Sequence, residues 1–339
     1  MPRIDSHFKS ASGISSEPSR TYAAIDLGTN NCRMLIAESE GQGFRVTDSY
    51  SRIVRLGEGL ASVDTLNETA IQRTLEALNV CAKKMALKNV VQSRCIATEA
   101  CRRAANCTAF FDLVKRETGL TLEAISPEQE ARLTLEGCSE LIDPATANSL
   151  VFDIGGGSTE LMWTERNETE GLAIVGMTSL PIGVVSLSER YGSEDITAET
   201  YEAIVHEVDN GLDSFDQKYG ISELFSSRPA QMLGTSGTVT TLGGLYLNLP
   251  HYIRSEVDGL DMRTETIDAI STKLKKMKRS DRATIACIGP ERADLVVMGC
   301  AILEAITRRW PSKTVRAADR GIREGLLLGM MREDARRTS

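Results

Sequence analysis

Residues 151–161, VFDIGGGSTEL, decide how the rest of the chain is read. Two apolar residues lead to Asp153, three consecutive glycines follow, and Ser158, Thr159 and Glu160 come next. A tight turn between strands accounts for one or two glycines, because glycine reaches φ > 0 at no steric cost. Three in a row lose more conformational entropy than a turn requires. A loop whose bare N–H groups cradle an anion, with the flanking acids beside a metal, gives them a purpose. The spacing is neither G-x-x-x-x-G-K-[ST] nor G-x-G-x-x-G, so the mechanisms of those two motifs do not apply.

The stretch has an echo. Residues 23–31 read AAIDLGTNN, so that Asp26 matches Asp153 and Gly28 matches Gly155. Two copies separated by about one domain length point to a duplicated fold. Behind the first copy, residues 32–38 and 45–50 alternate as strands around the turn-like SEGQGF; behind the second, ELMWTE and LAIVGMTSL do the same. Each glycine loop is therefore expected in a β-hairpin, not at the mouth of a helix as in a Rossmann or P-loop unit. Residues 65–87 place Ile71, Leu75, Leu78, Ala82 and Met85 on one helical face behind a Thr65/Glu68 capping box. Residues 200–219 do likewise with Ile204, Val208, Leu212, Phe215 and Tyr219. Short strands are expected at 93–98 and 121–126, and 141–149 reads as a linker. A third glycine-rich stretch, MLGTSGTVTTLGG (232–244), follows a strand and opens a helix. There Gly234, Ser236 and Gly237 fit a phosphate at a helix N-terminus as well as they fit a capped turn.

The composition of the 339 residues, 41% apolar and 25% charged, is that of a soluble globular chain long enough for two domains. A net charge of −8 argues against a nucleic-acid surface but leaves room for a local basic cleft holding a small or polymeric anion. No apolar run approaches the roughly 18 residues of a membrane span. Residues 1–20 lack the apolar core of a secretory signal and read as a disordered, Ser-rich tail. The eight cysteines form no C-x-x-C pair and fit the reducing cytoplasm; the three histidines are too scattered for a metal centre.

Together these residues resemble the actin, heat-shock-chaperone and sugar-kinase superfamily. More narrowly they resemble the exopolyphosphatase/guanosine-pentaphosphate phosphohydrolase (Ppx/GppA) family. VRLGEGL (54–60), IATEACRRA (96–104), ISPEQEARL (125–133), ERADLVVMGCAIL (291–303) and DRGIREGLLL (319–328) stand in the family's order, so the resemblance covers residues 21–330. It implies two ribonuclease-H-like α/β domains facing across a cleft: 21–127, completed by a C-terminal helix within 316–339, and 128–315. Longer relatives add a C-terminal helical domain, partly HD-like, before which this chain ends. Asn31, Pro127 and Gln129 depart from the family's usual Ser, Gly and Glu.

For the site, the resemblance implies a phosphohydrolase that removes the terminal phosphate of inorganic polyphosphate or the 5′ γ-phosphate of guanosine pentaphosphate (pppGpp). Gly28, Thr29, Asn30, Gly155, Gly156, Gly157 and Ser158 would bind phosphate, and so would the planar fork of Arg102. Asp153 and Glu160, with Asp26 through water, are the candidates for Mg²⁺ or Mn²⁺. Ser126, Pro127 and Gln129 read as N-cap, first residue and capping-box partner of a helix, which sets Glu130 in its first turn. The resemblance aligns Glu130 with the family's catalytic base, and Glu128 is the fallback. Arg55 is a weaker rim candidate. The lysines of KLKKMKR (273–279) read as a solvated helix face, because Ile267, Ile270, Leu274 and Met277 mark the buried one. The expected assembly is a cytoplasmic homodimer binding polyphosphate or guanosine penta- or tetraphosphate. Two rivals stay open: a kinase of the same superfamily, and a non-catalytic sensor of the same polyanions.

Overall fold

Strands covered on both faces read as near-continuous apolar runs instead of alternating ones, and TYAAIDL at residues 21–27 is such a run. In the computed structural model, which describes residues 20–41, 43–167, 171–192, 195–228 and 230–338, Ala23, Ile25 and Leu27 enter a core against helices on one face of a sheet. Tyr22 and Ala24 enter a second core on the other face. The expected tail lies outside the described residues except at Arg20, which belongs to the body: its guanidinium pairs with Asp334 at 2.6 Å.

The described chain forms two compact units. The first runs to Gly137 and resumes at Gly321. Its elements are β1 (Thr21–Leu27), β2 (Asn31–Glu40), β3 (Gly43–Ile53), α1 (Glu68–Leu87), β4 (Gln92–Ala97), α2 (Glu99–Arg103), α3 (Cys107–Thr118), β5 (Leu122–Ala124) and α4 (Pro127–Cys138). The sheet order is β3-β2-β1-β4-β5, antiparallel through the hairpins and parallel from β1 to β5. The second unit, Cys138–Arg320, holds β6 (Asn148–Ile154), β7 (Thr159–Asn167), β8 (Gly171–Leu180), α5 (Val184–Tyr191), α6 (Ala198–Tyr219), α7 (Ile221–Ser227), β9 (Ala230–Thr235), α8 (Gly237–Tyr246), α9 (Arg254–Val257), β10 (Asp261–Arg263), α10 (Thr264–Lys276), α11 (Arg279–Ala283), α12 (Val296–Arg309) and β11 (Thr314–Ala318). Its order, β10-β11-β9-β6-β7-β8, repeats the first: a meander of three antiparallel strands whose first member pairs in parallel with the next strand on its other side. The echo between residues 23–31 and 151–159 is thus a duplicated sheet. Among the described residues no helix is long and apolar enough to cross a membrane.

Three expectations move. The first boundary falls after Gly137, not after residue 127, because α4 is locked to the start of α13 (Ile322–Thr338). A Cβ at Gly137 would stand 1.9 Å from the Gly321 carbonyl oxygen, and one at Gly325 would stand 2.2 Å from that of Leu133. Ile322, Leu326, Leu327 and Met330 of α13 then close the second core of the first unit, while β11 stays with the second sheet. Segment 141–149 is not a free linker: Leu141 O accepts from Gln231 and Arg316, and the Asp143 N–H donates to Gln231. Helix α1 begins at Glu68 with Asn67 as its cap (Oδ1 accepting from Ala70 N, 2.7 Å), because the Asn106 amide holds both backbone groups of Leu66 outside the helix. The Thr65/Glu68 box does not form.

Backbone stands where a methyl at Gly137 would go, so Gly137→Ala should lower stability by about 1–3 kcal/mol, as overpacking does. Urea unfolding would show it as a lower midpoint at unchanged slope.

Candidate active site

The two hairpin loops are built alike. In the first unit the Gly28 N–H donates to Asn31 O at 2.9 Å; in the second the Gly155 N–H donates to Ser158 O, also at 2.9 Å. Loop carbonyls are tied from behind in both. Thr29 O accepts from Gly57 N, and Asn30 O from Val54 N and Arg55 N; Gly155 O and Gly156 O accept from Val184 N and Val185 N at the start of α5. Arg73 steadies the first arrangement, reaching Val54 O at 3.0 Å and the Glu58 carboxylate at 2.5 Å. Among the described residues, the N–H groups of Thr29, Asn30, Gly156, Gly157 and Ser158 keep no partner. Within each loop, neighbouring backbone donors left unsatisfied are the kind of group that suits an anion.

Gly28 and Gly155 are therefore loop-closing residues, not phosphate donors, which corrects the reading from sequence. Neither has left-handed backbone; at Gly155 the constraint is approach, since a Cβ would meet Ser158 O at 2.8 Å. Gly183, which sequence reasoning passed over, is required in the same way: its Cβ would stand 2.4 Å from Gly156 O. The Oδ1 atoms of Asn30 and Asn31 are buried without a hydrogen-bond partner among the described residues. That is a cost a folded protein keeps for a reason.

Register places the acids. Asp153 faces Glu160 directly across the β6–β7 ladder, and Glu160, 1% exposed, also accepts from Ser179 Oγ at 2.7 Å. Like charges directly opposite on adjacent strands repel, so this pair at the foot of the loop fits a divalent cation. Mg²⁺ suits it, because that ion takes one or two carboxylates and keeps waters and phosphate oxygens. The equivalent position in the first sheet differs: Asp26 faces Arg33. Burial raises the Asp26 pKa, and the cations of Arg33 and Arg323 oppose that rise. Asp26 thus has its counter-charge on the neighbouring strand.

The third glycine-rich stretch opens one strand away from the second loop, since β9 runs parallel to β6 with Thr235 beside Asp153. Ser236 caps α8, accepting from Thr238 N, with φ 103°, a left-handed conformation rare outside glycine and typical of functional sites. Gly237 opens the helix, at whose start orphan N–H groups can take an anion. Gly234 does not belong with them. It lies buried within β9, where a Cβ would stand 2.5 Å from the Phe152 ring, so its bareness serves packing.

In the first unit, β1, β4 and β5 end side by side, which brings residues 28–30, α2 and the start of α4 to one sheet edge. The capping box forms as read: Gln129 N donates to Ser126 Oγ at 3.2 Å and Ser126 N to Gln129 Oε1 at 3.0 Å. Glu130 follows in the first turn, 7% exposed, while Glu128 is exposed, its carboxyl held below the usual range by hydrogen bonds from Ser126 and its own backbone. Arg102 departs from expectation. Its Nη1 donates to Glu130 Oε2 at 2.6 Å and to Ile125 O at 3.0 Å; Nε and Nη2 donate to Glu99 Oε2 at 3.2 and 3.0 Å. Burial lowers the Arg102 pKa, but Glu130 and Glu99 outweigh it and hold it above its ordinary value. A fork so occupied does not offer two parallel N–H groups to a phosphate. Arg103 turns away toward Leu60 O, as read; on α10 Lys273 and Lys276 are exposed, but Lys275 is half-buried, 3.7 Å from the Glu304 carboxylate and over the Tyr201 ring.

The family model described as the Ppx/GppA phosphatase family matches residues 35–334. A guanosine-5′-triphosphate,3′-diphosphate pyrophosphatase of Photobacterium profundum is 30% identical over 91% of this chain, which spans 59% of that protein. Exopolyphosphatase 2 of Mycobacterium tuberculosis is 29% identical over 84% of this chain and 89% of its own length. The crystal structure of an Aquifex aeolicus member of the Ppx/GppA family aligns over 94% of this chain and 99% of that one, with TM-score 0.77 and 27% identity.

Proposed function

This chain belongs to the Ppx/GppA phosphatase family, and from that membership we propose that it is a phosphoanhydride hydrolase releasing orthophosphate from the end of inorganic polyphosphate or from the 5′ end of pppGpp. The observation that carries the reading is the Asp153–Glu160 pair at the foot of a glycine loop with unsatisfied N–H groups. The names of the relatives support the two substrate classes.

The residues divide the work. Thr29 and Asn30 in the first unit, and Gly156, Gly157 and Ser158 in the second, bind phosphate oxygens through backbone N–H groups. Asp153 and Glu160 hold Mg²⁺, or Mn²⁺ in its place, which when bound neutralises phosphate charge. Glu130 pairs with Arg102 and lies in the first turn of α4, and a neighbouring cation and a helix N-terminus each favour a carboxylate. It accepts one proton from the attacking water; the water oxygen bonds to phosphorus, the anhydride P–O bond breaks, and the remaining chain keeps its bridging oxygen. Arg102 orients this carboxylate.

Orthophosphate release should be measured in parallel from polyphosphates of several lengths, pppGpp and ATP. Release from polyphosphate or pppGpp, well above that from ATP, is expected. Tight polyphosphate binding without release would replace this reading by that of a sensor, and phosphate transfer to an added acceptor by that of a kinase.

A further inference from the structure

The Glu99 side chain is 14% exposed, that of Arg102 15% and that of Glu130 9%, so the three form a half-sealed carboxylate–guanidinium–carboxylate chain. Arg102 carries five N–H groups in a rigid fork. Its Nε/Nη2 side, the side that grips a carboxylate with two parallel bonds, is spent on Glu99. Its contact with Glu130 is one bond, from Nη1, which also reaches Ile125 O. Glu99 and Arg102 stand three residues apart on α2, and Glu130 comes from α4. The fork is thus oriented from its own helix before it meets Glu130.

We infer that Glu99 is a positioning residue: by holding Nε and Nη2 of Arg102, it confines the guanidinium to a one-point contact with Glu130. The inference rests on the reading of Glu130 as the base. Without Glu99 two things change together. The fork is free to turn and clamp both Glu130 oxygens, and its charge falls on one carboxylate instead of two. Each change makes Glu130 a poorer proton acceptor, since a cation nearby favours the ionised form. The carboxylates that act on Arg102 are Glu130 and Glu99, and Arg102 in turn acts on Glu128 of α4, which is exposed and screened.

The test is Glu99→Gln, which keeps the shape and removes the charge, measured by orthophosphate release across pH. We expect kcat about tenfold lower at neutral pH, KM nearly unchanged, and the acidic limb of the kcat profile moved to lower pH. In an Arg102→Lys background the same change should do nothing further, because Glu99 acts through the fork. An unmoved limb with unchanged kcat, or an equal loss in both backgrounds, overturns the inference. Should the glutamine variant not fold, Glu99→Asp, one methylene short of the guanidinium, carries the same comparison. Glu130→Gln separates the two layers. If it stays active, the base assignment and this inference both fail; if it is inactive while Glu99→Gln behaves as wild type, only the inference fails.

Discussion

Replacing Glu130 with glutamine should lower kcat by about 10²–10⁴-fold, the usual worth of a general base. The change keeps volume and removes the proton acceptor. The capping box that starts α4 lies upstream and uses Ser126 and Gln129 alone, so the helix should persist and circular dichroism should be unchanged. Calorimetric affinity for a polyphosphate of defined length should change little, since the proposed phosphate contacts are backbone N–H groups of the two loops. Glu128→Gln is the comparison: its carboxylate is exposed and already bonded to Ser126, so its loss should leave turnover largely intact. Turnover lost in Glu128→Gln and kept in Glu130→Gln would move the base one step back along the helix.

Asp153→Asn should separate stability from activity. Asp153 and Glu160 face each other across the ladder, so in excess chelator the asparagine variant should keep wild-type stability to within about 1 kcal/mol. Its turnover should fall by about 10²–10³-fold, the several kcal/mol that a metal contributes to such a reaction. Mg²⁺ should raise the urea midpoint of wild type by mass action and leave that of the variant where it was. Wild-type activity should vanish in EDTA and return with Mg²⁺ or Mn²⁺. Full turnover in EDTA, or a variant that gains as much from Mg²⁺ as wild type, would remove the pair from the metal site.

What could be read in advance was what is written locally. The hairpin loops, the strand after each, and the Ser126–Gln129 box are short-range patterns, in which donor and acceptor lie within a few residues and a motif states its own partners. The start of α1 differs for a related reason: Thr65 and Glu68 have the right spacing, but the cap is Asn67 because Asn106, some forty residues on, binds both backbone groups of Leu66. Ser179 and Gly183 carried no signal of their own; each matters only through the strand or loop it meets.

Sequence alone makes this chain a duplicated α/β protein with two glycine-rich hairpin loops and a carboxylate in the first turn of a helix, because periodicity and capping chemistry are local. Long-range pairing settles which charges come to lie side by side. Ladder register set Asp153 against Glu160 but Asp26 against Arg33, so two identical-looking motifs differ in the charge each acid faces. The same long-range folding pairs the Arg102 fork with Glu99 and Glu130, which depends on how α2 and α4 leave neighbouring strands. Charge pairing falls off over a few ångströms, so it is settled by contacts between residues that the sequence keeps far apart.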